Sequence, residues 1–170
     1  MLFRVSSVIA LTFIGASCSK QLDPFSAAFI DRSTAGLSMY PLAKDPRAVG
    51  TFPGMAKSGA GYFYDEVLEY PVWMHPERGA RKLAGNEDYF AAFARYESAA
   101  SYAKATEGAE EAPLVLVRQR ESVNEPTPGV FEWVKTERIT EWNVEWLQGT
   151  QRTPTSIPRF LAEHAQTESK

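Results

Sequence analysis

The sequence predicts an α+β domain: a mainly antiparallel sheet of about five strands with two helices, in the order β-β-α-β-β-β-α. Three observations carry this expectation. Between Gly61 and Leu161, short runs alternate apolar and polar side chains, two stretches keep a helical period, and Pro and Gly residues separate the segments. This patterned part of the 170-residue chain follows a leader with little periodic pattern, and the character changes near Met55.

Gly61 to Met74 forms the first strand. Tyr64, Leu68, Tyr70, Val72 and Met74 share one side, with Glu66 intruding; Phe63, Val67 and Trp73 take the other beside Asp65 and Glu69. Pro71 has no N–H for a central ladder, which asks for an edge position or a bulge there. His75 to Gly79 reads as a loop, and Tyr89 to Arg95 as a second strand. Glu97 to Glu107 is a helix, with a carboxylate at its positive end, a stripe of Tyr96, Ala99, Ala100 and Ala103, and Gly108 beyond it. Leu114 to Arg120 is the third strand, ended by a turn at Pro126, Pro128 and Gly129. Val130 to Lys135 and Ile139 to Leu147 read as a hairpin around Thr136-Glu137. Its second arm sets Thr140, Trp142, Val144 and Trp146 against Glu141, Asn143 and Glu145. The last helix opens at Thr155 or Ser156, with Pro158 in its first turn and Ile157, Phe160, Leu161 and His164 at helical spacing.

Two units follow along the chain: a leader over residues 1–54 and a single α+β domain over 55–170. The leader carries five basic and three acidic residues, and the domain 13 basic and 18 acidic. An acidic domain repels phosphate backbones, and Arg118 with Arg120 makes too small a basic face, so nucleic acid is excluded as a partner. Cys18 is the one cysteine, so no internal disulfide and no cysteine ligand set forms. The leader reads in two ways. Arg4, the apolar run Val8 to Ile14 and Gly15-Ala16-Ser17 before Cys18 look like an export signal with a lipidation site, which would anchor the protein without a transmembrane span. Alternatively, translation starts at Met55, the leader is an over-extended reading of the gene, and the domain is cytoplasmic.

Chemistry is less legible. His75-Pro76-Glu77 is like the His-x-Glu of zinc deaminases, but the cysteines that complete such a site are missing, so no metal is expected. No Gly-x-Ser-x-Gly elbow exists, and Gly59 and Gly61 precede a strand instead of opening a helix. Asp65, Glu66 or Glu69 becomes a general base with a raised pKa only if buried. Three Glu-Trp pairs end at Trp133, Trp142 and Trp146, which suggests a tryptophan-rich core under an acidic outer face, or else an aromatic binding surface suited to a cationic partner. The ligand- or partner-binding candidates are therefore Trp73, His75, Arg118, Glu141 and Trp142, and no residue takes a catalytic assignment.

Tyr62 to Tyr70, Val72-Trp73, His75-Pro76, Gly108-Ala-Glu-Glu, Leu114 to Gln119, Glu125-Pro126 and Glu137 to Trp146 together resemble a family of small proteobacterial proteins labelled GNAT-like acetyltransferases. The resemblance spans roughly Gly61 to Leu161. It implies acetyl-CoA as cofactor and N-acyl transfer as activity, and its members begin just before the Tyr-rich block, which favours a start at Met55. The Arg/Gln-x-x-Gly-x-Gly/Ala loop of GNAT enzymes has no counterpart here, since Arg81 to Gly85 is spaced differently. The alternatives are a non-catalytic binding or regulatory module acting through the acidic, tryptophan-rich hairpin, and a tethered envelope protein. A small molecule, a protein or a second copy of the chain remain open as partners.

Overall fold

Six strands and two helices follow one another along the described residues: β1 (Glu66–Met74), β2 (Tyr89–Phe93), α1 (Tyr96–Ala105), β3 (Leu114–Gln119), β4 (Ser122–Thr127), β5 (Val130–Val134), β6 (Arg138–Asn143) and α2 (Ser156–Ala165). The structure is a computed structural model and describes residues 38–53, 62–83 and 85–165. The class is α+β, as the sequence predicts, with six strands in place of about five. Four of them form one antiparallel sheet in the order β2-β1-β3-β6, and β4 pairs with β5 as a separate ribbon.

One face of the four-stranded sheet meets α1. Ala99 and Ala103 pack against Tyr70, Val72, Met74, Val115, Val117 and Trp142, all buried. Small alanines let the helix backbone approach the sheet, and the β-branched residues fill the pleat. Gly108, two residues past the helix-ending Thr106, has φ +72° and lies against Ala80. A Cβ there would meet the Ala80 nitrogen at 2.1 Å, so only glycine permits this approach.

A bulge in β1 decides which residues face which way. The β1–β3 register runs Glu66↔Arg118 and Val67↔Val117, then shifts so that Glu69 pairs with Leu116. The extra residue resets the alternation. Val67 therefore joins Tyr70, Val72 and Met74 in the core, where unbroken alternation would set it opposite them. Pro71 sits in a central strand, not at an edge, and the bulge lies upstream of it. It follows the last β1–β3 pair and precedes the point where Glu110 N–H bonds the Trp73 carbonyl, so β3 asks nothing of its missing N–H.

The expected hairpin between residues 130 and 147 does not form. β5 pairs back with β4 through the Pro128-Gly129 turn, and β6 crosses to pair with β3 along its whole length. Pro126 lies inside β4, beside a second register shift, on a ribbon whose other side has no ladder partner among the described residues. β6 also stops at Asn143, and Val144–Leu147 winds as a 3-10 turn. The tryptophans separate accordingly: Trp142 is 1% exposed in the core, Trp146 and Trp73 are half-buried, and Trp133 on the ribbon is exposed beneath the Lys135 ammonium.

Residues 38–53 belong to the packed structure, so packing extends upstream of the boundary expected near Met55. The segment starts on the α1 side, where Ser38 Oγ and Met39 N–H donate to Glu97 at the helix start and Tyr40 packs edge-on against Tyr96. Tyr70 donates its hydroxyl to the Pro41 carbonyl. The chain then passes the end of β2, with Ala43 N–H on the Ala94 carbonyl, and docks on the free edge of β1 with Lys44 N–H on the Val67 carbonyl. Ala43 and Val49 end up buried against Ala92 on the sheet face opposite α1. Cys18, the export-signal segment and Met55 lie outside the described residues.

Candidate functional site

Directly paired residues on neighbouring strands share a face, so Glu69, Leu116 and Glu141 form one row across β1, β3 and β6, on the face that residues 43–50 partly cover. Next to this row the face opens into a cleft of about 410 Å³, lined by Trp73, Leu114, Glu141 and Asn143 from the strands. His75, Glu110, Glu111 and Ala112 complete it from the connections. That volume lies within the usual small-ligand range of roughly 300–1,000 Å³.

Trp73 is the fixed wall of the cleft. Its indole packs edge-on to Phe90 at 5.3 Å and donates Nε1–H to Glu141 Oε1 at 2.9 Å. Glu141 itself is 4% exposed. The sequence places Glu141 on an outward acidic face; the β3–β6 pairing instead sets it, on the edge strand β6, beneath the Trp73 side chain, whose indole N–H it accepts.

His75 follows the last residue of β1 and is buried among acidic partners. Its backbone N–H bonds the Gly108 carbonyl, which fixes the Gly108–Glu111 connection beside it. The ring Nε2 lies 2.7 Å from Glu110 Oε2, and Nδ1 lies 3.0 Å from Asp88 Oδ2, close in charge but not aligned as a hydrogen bond. Arg78 Nη1 reaches the same Glu110 oxygen at 3.3 Å from outside. His75 lies in the connection after β1, as the sequence suggests, and its buried ring holds Glu110 at the cleft wall. Among the described residues, no group of three or more His, Cys, Asp and Glu side chains is arranged to hold a metal ion.

Glu69 is the other unusual carboxylate. It is fully buried, and burial raises its pKa to about 7; the Gly50 N–H on Oε2 at 2.7 Å opposes the rise and the Glu141 charge adds to it. Oε1 has no hydrogen-bond partner. Of the three carboxylates that the sequence offers as a general base if buried, Glu69 is the one that is fully buried. Asp65 is held by Arg152 at 2.6 Å and by the Arg120 N–H, and Glu66 by Arg118 and Arg120 at 3.1 and 2.8 Å.

The structure brings Trp73, His75 and Glu141 together and leaves the other two candidates apart. Arg118, one row beyond Glu69, is engaged by Glu66 and by Glu137 at 3.5 Å. Trp142 points into the core against Tyr64 and Tyr62, so it cannot serve as a binding surface. Glu110, Glu111 and Asn143 are cleft residues that the candidate set lacks. Glu110 and Glu111 follow a helix end with no periodic pattern, and Asn143 looks like any outward strand position.

Neither helix opens on a glycine loop: α1 follows Ala94-Arg95 and α2 follows Thr153-Pro154-Thr155. No helix among the described residues is long and apolar enough to cross a membrane. Comparison with protein-family models, with characterised proteins and with solved structures finds no match for this chain.

Proposed function

We propose that this protein binds a small ligand bearing an amine or guanidinium group, held in the cleft between Trp73, Glu141, Glu110 and Glu111. The observation that carries this is the lining itself: three carboxylates, one histidine already engaged by Glu110, an indole wall, and no lysine or arginine in the lining, Arg78 reaching Glu110 from outside it. Carboxylates accept the N–H donors of a cation, and an aromatic ring beside them adds attraction of about 0.5–2 kcal/mol when the cation is partly desolvated. Asn143 supplies a neutral donor and acceptor at the same wall.

N-acyl transfer from acetyl-CoA, implied by the resemblance of Gly61 to Leu161 to a GNAT-like family, is the catalytic counterpart of this reading, because its acceptor is an amine. The acidic cleft fits that amine and disfavours the coenzyme's pyrophosphate, and neither helix start carries a glycine cradle for it. The coenzyme would therefore require a position outside the cleft.

Titration of the 15N-labelled protein with lysine methyl ester and arginine methyl ester tests the proposal. The Trp73 indole N–H resonance should shift saturably at millimolar ligand, and Glu111→Lys should weaken the binding while the rest of the spectrum is unchanged. An unmoved Trp73 resonance with both esters refutes it. Acetyl-CoA in a parallel titration separates the two versions: binding favours the transferase, and its absence leaves a non-catalytic module.

A further inference from the structure

The segment over the second face of the sheet is attached in an unusual way. Its bonds to the strands are few: Ala43 N–H to the Ala94 carbonyl, Lys44 N–H to the Val67 carbonyl, Gly50 N–H to Glu69 and the Tyr70 hydroxyl to the Pro41 carbonyl. Only Ala43 and Val49 are deeply buried along it. Gly50, at φ +82°, turns its N–H inward onto Oε2, while Oε1 remains buried without a partner. A fully buried carboxylate with one oxygen unsatisfied is tolerable as a neutral acid and costly as an anion.

We propose that residues 42–53, downstream of the stretch anchored on α1 through Glu97, form a detachable strap latched over Glu69, which lifts from the sheet when the Glu69 carboxyl ionises. Lifting the strap lets water reach Oε1 and removes the cost of the buried charge. The surrounding charges act in the same direction. Glu141 on β6 faces Glu69 across Leu116 and repels its anion. Lys44, Asp45 and Arg47 on the strap are exposed. Arg118 on β3 is engaged by Glu66 and Glu137, and on β2 the titratable residue is Tyr89, bonded to the Arg81 carbonyl.

The sign follows from linkage. With the strap closed, Glu69 titrates at about 7 against an ordinary 4.5, so the closed form holds the extra proton between those values. Raising pH through this window favours opening by up to about tenfold per pH unit, and the effect levels off above pH 7.

Amide hydrogen exchange on the full chain between pH 5 and 8, with the intrinsic pH dependence divided out, tests this. The Ala43, Lys44 and Gly50 amides should lose protection until pH 7, by up to about tenfold per unit, while Val115 to Val117 in β3 keep theirs. In Glu69→Gln the protection of the strap amides should be independent of pH. A flat profile in the wild type, an equal fall in Glu69→Gln, or a fall shared by the β3 amides overturns the proposal. Should Glu69→Gln fail to fold, Glu141→Gln decides: a plateau reached at lower pH supports the latch, and an unmoved plateau overturns it.

Discussion

Replacing Trp73 by Phe isolates the interaction that holds the cleft wall. Phenylalanine keeps an aromatic ring against Phe90 but deletes the Nε1–H that Glu141 Oε1 accepts at 2.9 Å. Glu141 is 4% exposed, so water does not readily replace the lost donor. A hydrogen bond to a charged group contributes about 1.5–3 kcal/mol, and the smaller ring adds to the loss, so roughly 2–3 kcal/mol of destabilisation is expected. Urea denaturation followed by far-UV circular dichroism measures it. With a slope of about 2 kcal/mol per molar, the midpoint should fall by about 1–1.5 M without a change of slope. Glu141→Gln and the double variant complete a cycle. If the bond is what matters, Trp73→Phe should cost about 1–2 kcal/mol less in the Glu141→Gln background, since a neutral amide loses less than a carboxylate when its donor goes. A Trp73→Phe protein within about 0.5 kcal/mol of wild type, or strictly additive effects, refutes the reasoning.

Two other perturbations have outcomes that the structure dictates. Gly108→Ala drives a Cβ to 2.1 Å from the Ala80 backbone nitrogen at φ +72°, whereas Gly129, at φ +83°, has open space around it. The first should prevent folding or cost more than about 3 kcal/mol, and the second about 1 kcal/mol, measured by thermal melts; equal losses would contradict the close approach at Ala80. A chain starting at Met55 loses the Val49 side chain and the partners of Glu69 and Tyr70, and should be less stable than a chain starting at Ser38 by at least about 1.5–3 kcal/mol. Equal denaturation midpoints for the two truncations would show that the strap contributes nothing to stability.

Local pattern carried much of the fold. The apolar run of Val115 to Val117 is buried, α1 turns its alanines onto the sheet, and the Pro128-Gly129 turn is where the sequence puts one. These features depend on residues within a few positions of each other, which periodicity and turn chemistry report directly. The cleft was legible only in fragments. Trp73, His75 and Glu141 stood out as residue types, but nothing local says that an indole in β1 meets a carboxylate 68 residues later.

By itself, then, the sequence determined the kinds of element, their order apart from the extra strand β4, and the acidic character of the domain. Tertiary structure decided the pairing of β6 with β3 instead of β5, and with it the fate of Glu141 and Trp142: one a buried acceptor at the cleft, the other core. It decided the phase of β1, because one extra residue between Val67 and Glu69 turns the remaining side chains over. It also decided that Glu69 is buried, because a segment without helical or strand period lies across it. The physical reason is common to all three. Alternation fixes which side chains oppose one another within a strand, but the partner strand, the register and the covering segment come from contacts between distant residues, and burial follows from those.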